Sequence, residues 1–259
     1  MIQKSLIAVV LLMQACQAFA DEPAMDWVQT REFPAVEATQ GAAADDKFVY
    51  SIANQIVAKY DRKTGERLSV SHGDAIHLNS GFLMDGKLYC AHSNFGQKPD
   101  RSEIKILDPE SMELTDFHAF GETPHGSLTV ALFDQGAWWC VFAVYGKQDN
   151  QRTVLVKYDQ NWNEQAVFTF PGSVTSDLGR SSISGGVWRN DEFLATGHDK
   201  KVLYRLTLPA SGTVLKHLAT QSTPFPGQAI AIDPATGGLI GIRRPQYVLF
   251  AEERRIPGT

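Results

Sequence analysis

Polar residues recur along the chain in a pattern that suits recognition of a small polar molecule. The candidate ligand-binding residues are Gln40, Asn79, Arg180, Ser182, Gln228 and Arg243. Guanidinium groups hold carboxylate or phosphate oxygens through charge-assisted hydrogen bonds, while amides and hydroxyls add directional ones. Because two arginines belong to this set, the expected ligand is anionic.

Three further residues could carry catalysis or hold a metal. His77 and His125 are the candidate bases, and Glu37 is the candidate acid–base group. The same three side chains form a mixed nitrogen and oxygen set that suits zinc or manganese. No short His-x-x-His spacing accompanies them, so the sequence establishes no cofactor. A metal-assisted lyase or hydrolase that uses a divalent metal is an alternative function.

Other chemistries find less support in the sequence. No inner strand carries the two facing carboxylates that a glycosidase needs, and no Gly-x-Ser-x-Gly pattern indicates a serine hydrolase. Nucleotide-binding glycine motifs are missing too. The 24 Lys and Arg against 29 Asp and Glu give a net charge of −5, which disfavours nucleic acid as a partner.

A repeat of about 45 residues must position these side chains. Its first motif is a tight turn followed by an apolar, β-prone run, and the turns begin at Asp45, Asp85, Asp134, Asn190 and Asp233. Its second motif is another apolar strand, and its copies end at Asp61, Asp108, Asp159 and Thr207, which lie 47, 51 and 48 residues apart. A degenerate fifth copy runs from Tyr247 to Phe250.

Four short strands per unit at a regular period predict an all-β fold, a five-bladed β-propeller of four-stranded blades. An irregular β-sandwich would not explain five copies of two linked motifs. No segment has a sustained apolar period of 3.6 residues, so helices should be nearly absent. The fifth unit lacks one strand, and the N-terminal segment Trp27 to Phe33 is predicted to supply it and close the ring.

The propeller topology separates the polar residues from the turns. Within each blade the a–b and c–d turns share one face, here called the turn face, and they contain turn residues only. The d–a and b–c connections share the opposite loop face, and they contain all the candidates above. Residues from five repeats should therefore meet in an axial mouth on the loop face. A protein-interaction platform on that face is an alternative, supported by Phe95 and Tyr145.

The N-terminus predicts export. Lys4, the apolar run from Leu6 to Met13 and a small-x-small site at Ala18 to Ala20 predict a signal peptide over residues 1–20. Residues 21–259 would then be a single propeller domain in the periplasm or outside the cell. Lys4 is the only charge removed, so 23 basic and 29 acidic residues leave a net charge of −6. No later stretch is long and apolar enough to span a membrane.

Two cysteines, Cys90 and Cys140, remain after cleavage of the signal peptide. They occupy the same position of strand b in consecutive blades, so both should point the same way around the ring. Stacked sheets lie about 10 Å apart, whereas a disulfide needs Cα atoms within about 7 Å. We therefore expect two buried free thiols in spite of an oxidising compartment.

The stretch Glu37-Ala38-Thr39-Gln40-Gly41, followed by a strand and Tyr50, resembles the first blade of glutamine cyclotransferase-like five-bladed propellers. Those proteins carry Thr-Gln-Gly at the start of an inner strand, and their repeated turn units are similar to the ones here. The resemblance implies the same fold and, as an alternative function, acyl transfer at the axis. In the family an acidic residue of the catalytic pocket follows the second-strand tyrosine, whereas Ser51 follows Tyr50 here.

Overall fold

The computed structural model describes residues 25–256, so the predicted signal peptide lies outside the described residues. The chain forms five four-stranded antiparallel sheets, which confirms the predicted five-bladed propeller. Helical structure in the described part is limited to α1 (Gly172–Thr175) and one 3-10 turn (Asn150–Arg152). No helix in residues 25–256 is long and apolar enough to cross a membrane.

The strands follow one another from the axis to the rim in each blade. Blade 1 contains β2 (Gly41–Ala44), β3 (Phe48–Ile52), β4 (Val57–Asp61) and β5 (Arg67–Val70). Blade 2 contains β6 (His77–Met84), β7 (Lys87–Ser93), β8 (Arg101–Leu107) and β9 (Leu114–Glu122). Blade 3 contains β10 (Ser127–Asp134), β11 (Ala137–Ala143), β12 (Val154–Tyr158) and β13 (Glu164–Thr169). Blade 4 contains β14 (Gly185–Arg189), β15 (Glu192–Thr196), β16 (Val202–Thr207) and β17 (Lys216–Ser222).

Blade 5 draws its outermost strand from the other end of the chain. Its inner strands are β18 (Ala231–Ile232), β19 (Leu239–Arg243) and β20 (Tyr247–Arg255), and β1 (Met25–Pro34) pairs antiparallel with β20. The predicted closure by the N-terminal strand is therefore confirmed. Trp27 of β1 is buried, and its indole N–H donates to Gln221 Oε1 of β17 at 3.1 Å. This bond links the closing strand to the neighbouring blade 4.

The repeated aspartates explain why the turn-face hairpins recur. At the end of β4, Asp61 Oδ1 accepts the main-chain N–H groups of Lys63 and Thr64 at 2.9 and 2.7 Å. Asp108 and Asp159 accept N–H groups two residues later at 2.9 and 2.8 Å. A carboxylate that satisfies the donors of its own turn favours a tight reversal. The N–H group of Thr64 in turn lowers the pKa of Asp61.

Apolar side chains fill the space between neighbouring blades. Cys90 packs against Ile52 and Leu88 between blades 1 and 2, and Cys140 packs against Tyr89 between blades 2 and 3. The sheet of blade 2 thus separates the two thiols, and the prediction of buried free cysteines is confirmed. Burial raises the pKa of Cys90 to about 12 and also raises that of Cys140.

Candidate functional site

The inner strands are tied together at the loop-face end of the axis. The main-chain N–H of Ala229 donates to the carbonyl of Gln40 at 3.0 Å and joins blades 5 and 1. Asn79 Nδ2 donates to the carbonyl of Leu128 at 2.8 Å and joins blades 2 and 3. Asn79 is buried and acts as a link between blades.

The same region is too closely packed for side chains at two glycines. A Cβ atom on Gly41 would lie 2.6 Å from Cβ of Ala229, and one on Gly185 would lie 2.5 Å from the carbonyl oxygen of Gln228. Thr129 Oγ1 adds a bond of 3.0 Å to the carbonyl of Ile183, which joins blades 3 and 4. These contacts form a packed floor beneath the loop face.

Arg244 directly follows β19, and residues of three other blades surround its side chain. Its Nε donates to the carbonyl of Thr39 at 3.1 Å, beside the first strand of blade 1. The charge of Arg244 helps to lower the pKa of His77 in blade 2. Burial lowers the pKa of Arg244 itself, while the Asp199 carboxylate of blade 4 opposes that change. Arg244 therefore lies among residues of blades 1, 2 and 4 on the loop face.

His77, the first residue of β6, is a half-buried imidazole in the same region. Burial lowers its pKa, a hydrogen bond with Asn79 raises it, and the charge of Arg244 lowers it further. The net shift is downward, so His77 is neutral at pH 7 and can donate or accept one hydrogen bond.

Two aromatic residues extend the site from His77 toward blade 3. The ring centroid of Phe95 lies 5.1 Å from that of His77 and 5.2 Å from that of Tyr145. Burial raises the pKa of Tyr145 to about 12, so its hydroxyl stays neutral. Phe95 and Tyr145 also line a cavity of about 280 Å³ between the b–c loops of blades 2 and 3. Lys98 and Asp100 lie in its wall and pair with each other at 2.7 Å.

Arg180 enters from the connection between blades 3 and 4. Its carbonyl oxygen accepts the N–H of Gly146 at 3.0 Å, which places it beside Tyr145. The nearby Asp177 instead binds Lys200 and the hydroxyl of Tyr204. Within residues 25–256 the exposed guanidinium of Arg180 has no ion pair or hydrogen bond. We call His77, Phe95, Tyr145, Arg180 and Arg244 the loop-face cluster.

Two predicted site residues, Glu37 and Arg243, are bound by partners away from the axis. Glu37 is buried and accepts from the hydroxyl of Tyr60 at 2.5 Å and from Arg67 Nη1 at 2.8 Å, both on outer strands of blade 1. Arg243 Nη2 donates to Glu32 Oε2 on the closing strand at 2.8 Å, and its guanidinium lies 4.3 Å from the ring centroid of Tyr247.

His125 likewise has its partner at the rim. Its Nε2 lies 3.2 Å from Oε2 of Glu164, the first residue of the outermost strand of blade 3. No three His, Cys, Asp or Glu side chains in residues 25–256 are grouped to hold a metal ion. His77, His125 and Glu37 are therefore not brought together by the fold.

The remaining predicted residues support the loops. Gln40 Nε2 donates to Asn54 Oδ1 at 2.5 Å. Ser182 is fully buried, and its Oγ lies 2.6 Å from Thr153 Oγ1. Gln228 is buried with φ of +69°, and its Nε2 donates to the carbonyl of His198 at 3.3 Å.

Arg244 belongs to the loop-face cluster but was not among the site residues predicted from the sequence. The sequence feature that could have identified it is its position between the end of a strand and Pro245. Arg243 is the last residue of β19 and stands opposite Tyr247, so its side chain packs on the sheet. Arg244 follows the strand end and precedes Pro245, which lacks an N–H and cannot continue the ladder. Its side chain therefore extends beyond the strand ladder and reaches the carbonyl of Thr39 on the loop face.

The axis also opens on the turn face, where the sequence indicated turns only. A cavity of about 210 Å³ lies between the ends of the inner strands. Its wall contains Ala43 and Ala44 of blade 1, Phe82 of blade 2, Asp134 of blade 3 and Trp188 of blade 4. Apolar residues at strand ends resemble core residues in a sequence, which is why this opening was not expected.

Comparison with known proteins shows the fold and no closer relationship. No family model matches the chain, and no curated protein matches it. The chain is similar to the crystal structure of Myxococcus xanthus glutaminyl cyclase, with TM-score 0.62, 10% identity, and 91% of this chain and 100% of that chain covered. It is also similar to a putative oxidoreductase (glucose dehydrogenase) from Thermus thermophilus, with TM-score 0.50, 10% identity and coverage of 86% and 99%. The expected resemblance to glutamine cyclotransferase-like propellers is thus confirmed in the fold.

Proposed function

We propose that this protein is an exported propeller that binds a small carboxylate-bearing ligand at the loop-face mouth. The carrying observation is that Arg180 and Arg244 have no carboxylate within 4.0 Å among the described residues. Most other arginines have a carboxylate partner, as in the pairs Arg62–Asp233, Arg67–Glu37, Arg189–Glu253, Arg205–Glu192 and Arg243–Glu32. Arg31 donates to main-chain carbonyls of the turn at Arg62 and Lys63, away from the loop-face cluster. Guanidinium groups without an ion-pair partner suit planar carboxylates.

The rest of the loop-face cluster narrows the ligand class. A neutral His77 and a neutral Tyr145 hydroxyl would add hydrogen bonds without adding charge. Phe95 is 47% exposed and offers a flat apolar surface beside them. These groups favour an anion with a small apolar body over inorganic phosphate or sulfate. The cavity of about 280 Å³ beside Phe95 would accommodate such a body.

Acyl transfer of the cyclotransferase type has less support. The acid that the family places after the tyrosine is replaced by Ser51, whose buried hydroxyl has no hydrogen-bond partner among the described residues. Glu37 is engaged by Tyr60 and Arg67 and would have to leave both to act on a substrate. Export stays part of the proposal, with cleavage before Asp21 and the mature domain in the periplasm or outside the cell.

The experiment measures binding of benzoate, succinate and sulfate to the mature chain by calorimetry and thermal shift. We expect benzoate to bind best and the double variant Arg180→Gln/Arg244→Gln to lose binding at least tenfold, since a charge-assisted bond contributes about 1.5–3 kcal/mol. The matched control is Arg243→Gln, because Arg243 is the adjacent arginine but is paired with Glu32. Equal losses in both variants, or no binding of any probe, would contradict the proposal. Turnover of a peptide with N-terminal glutamine would instead support acyl transfer of the cyclotransferase type, and the binding proposal would be abandoned.

A further inference from the structure

The turn-face axial cavity has the size and composition of a small-molecule site. All five blades line it, and its wall is formed chiefly by Ala43, Phe82, Leu132, Val187, Trp188 and Ile232. A buried apolar cavity of about 150 Å³ is enough to hold benzene. At about 210 Å³, this cavity accommodates one ring with a short chain.

Local sequence explains why this space is left open. Blade 1 contributes only the methyl groups of Ala43 and Ala44, and the innermost strand of blade 5 is only the two residues Ala231 and Ile232. The two large aromatic residues of the wall, Phe82 and Trp188, lie on blades 2 and 4, and the cavity lies between them. The cavity lies at the opposite ends of the inner strands from the loop-face floor.

A single carboxylate lies in the wall of this apolar space. Asp134 ends β10, and within residues 25–256 its carboxylate has no hydrogen bond or ion pair. The carboxylate of its neighbour Asp191 accepts from a neutral donor, Gln135 Nε2, at 3.2 Å, and has no ion pair among the described residues. Asp134 and Asp191 line the same adjoining cleft, whose wall contains no Lys or Arg among the described residues. Burial and the charge of Asp191 raise the pKa of Asp134. A positively charged group bound here would relieve the repulsion between the two carboxylates.

Aromatic surfaces beside Asp134 also favour a cation. Trp188 lines both the cavity and an adjoining cleft that contains Asp134, Asp191 and Trp139. The faces of aromatic rings attract ammonium groups. Trp139 already shows this contact, since Lys157 Nζ lies 5.2 Å from its ring centroid.

We propose that the turn-face axial cavity binds a small aromatic or alkyl ammonium, with its apolar body between Phe82 and Trp188 and its charge at Asp134. This site is separate from the loop-face cluster and carries the opposite charge. A neutral molecule of the same shape would leave Asp134 without a partner. An anionic one would be repelled by both aspartates.

The test compares three probes of similar size, 2-phenylethylammonium, 2-phenylethanol and phenylacetate, by calorimetry and by NMR of the Trp188 indole N–H. We expect the ammonium to bind most tightly, to shift the Trp188 signal, and to lose about tenfold in affinity in Asp134→Asn. Asp85→Asn is the matched control, because Asp85 lies in the equivalent turn of blade 2 and does not line the cavity. Ala231→Phe should fill the cavity and remove binding of the ammonium and the alcohol.

Several results would overturn the inference. One is equal affinity for the ammonium and the alcohol in the wild-type protein. Another is tight binding of the ammonium that leaves the NMR signal of the Trp188 indole N–H unchanged. This measurement uses the wild-type protein, so it does not depend on whether a variant folds. The Arg180→Gln/Arg244→Gln variant should bind the ammonium with wild-type affinity, because its substitutions lie on the loop face. The turn-face inference can therefore hold even if the loop-face proposal fails.

Discussion

Trp27 offers a direct test of how the ring is closed. It lies on β1, far in sequence from the other strands of blade 5, and it is 3% exposed. Its ring packs in the apolar cluster of Leu203, Leu249 and Ala251, between blades 4 and 5. Replacing it with alanine removes a buried aromatic contact that the N-terminal strand makes with blade 4.

The expected cost can be worked out from these contacts. Truncation of a buried tryptophan to alanine costs about 3–5 kcal/mol. Gln221 Oε1 would lose its indole donor, and the Arg189 guanidinium would lose a ring whose centroid lies 5.2 Å away. We therefore expect the free energy of unfolding to fall by about 4 kcal/mol or more. With a urea m-value of about 3 kcal/mol/M, the midpoint would move down by more than about 1 M.

The assay is equilibrium urea unfolding of the mature protein followed by far-UV circular dichroism, a signal that depends little on one tryptophan. Val28→Ala is the matched control, since Val28 is the next residue of the same strand but is 42% exposed. Surface changes of this kind cost within about 0.5 kcal/mol. If both variants unfolded at the wild-type midpoint, the N-terminal strand would not be an integral part of blade 5.

Two further predictions concern buried titratable groups. His92 accepts the N–H of Ile76 at Nε2 and faces Glu103 at Nδ1, with Lys105 and Asp116 beyond, and burial lowers its pKa. The unfolded state therefore binds the proton more readily, and stability should fall as the pH drops from 7 through 6.5 toward 5. His92→Gln, which can still accept from Ile76, should flatten the pH dependence of stability in urea unfolding. A slope in the variant equal to or steeper than that of the wild-type protein would contradict this prediction. Cys90 and Cys140 should be unreactive to a thiol reagent in the native mature protein and react as two groups after unfolding without reductant; a count of zero in a monomer would indicate a disulfide.

The fold could be predicted because its signals are local and repeated. Each Asp at the end of a c strand accepts N–H groups from its own turn, as Asp61 does from Lys63 and Thr64. Each apolar run between turns then has the length of one strand. The fifth repeat contains one strand too few, and the N-terminal segment is a strand that belongs to no repeat. These two facts identify the N-terminal segment as the closing strand, which the pairing of β1 with β20 confirms.

The site was harder to predict because partners come from distant strands. Glu37 looked available in the sequence, yet Tyr60 and Arg67 of the outer strands bind it. Arg243 and Arg244 are adjacent residues of the same type, and they differ in their position relative to the end of β19. Arg243 binds Glu32, whereas Arg244 reaches Thr39 on the loop face. Whether a side chain is free depends on which outer-strand residue can reach it, and the repeat does not specify that.

The packed floor separates charged groups of opposite sign on the two faces of this propeller. Gly41 and Gly185 allow the inner strands to meet so closely that a single Cβ would lie within 2.6 Å of another blade. Arg180 and Arg244 stand on the loop face, while Asp134 and Asp191 stand on the turn face. Because the charges of opposite sign are held apart, neither set neutralises the other. The two proposed sites, one for an anion on the loop face and one for a cation on the turn face, would therefore bind their ligands independently.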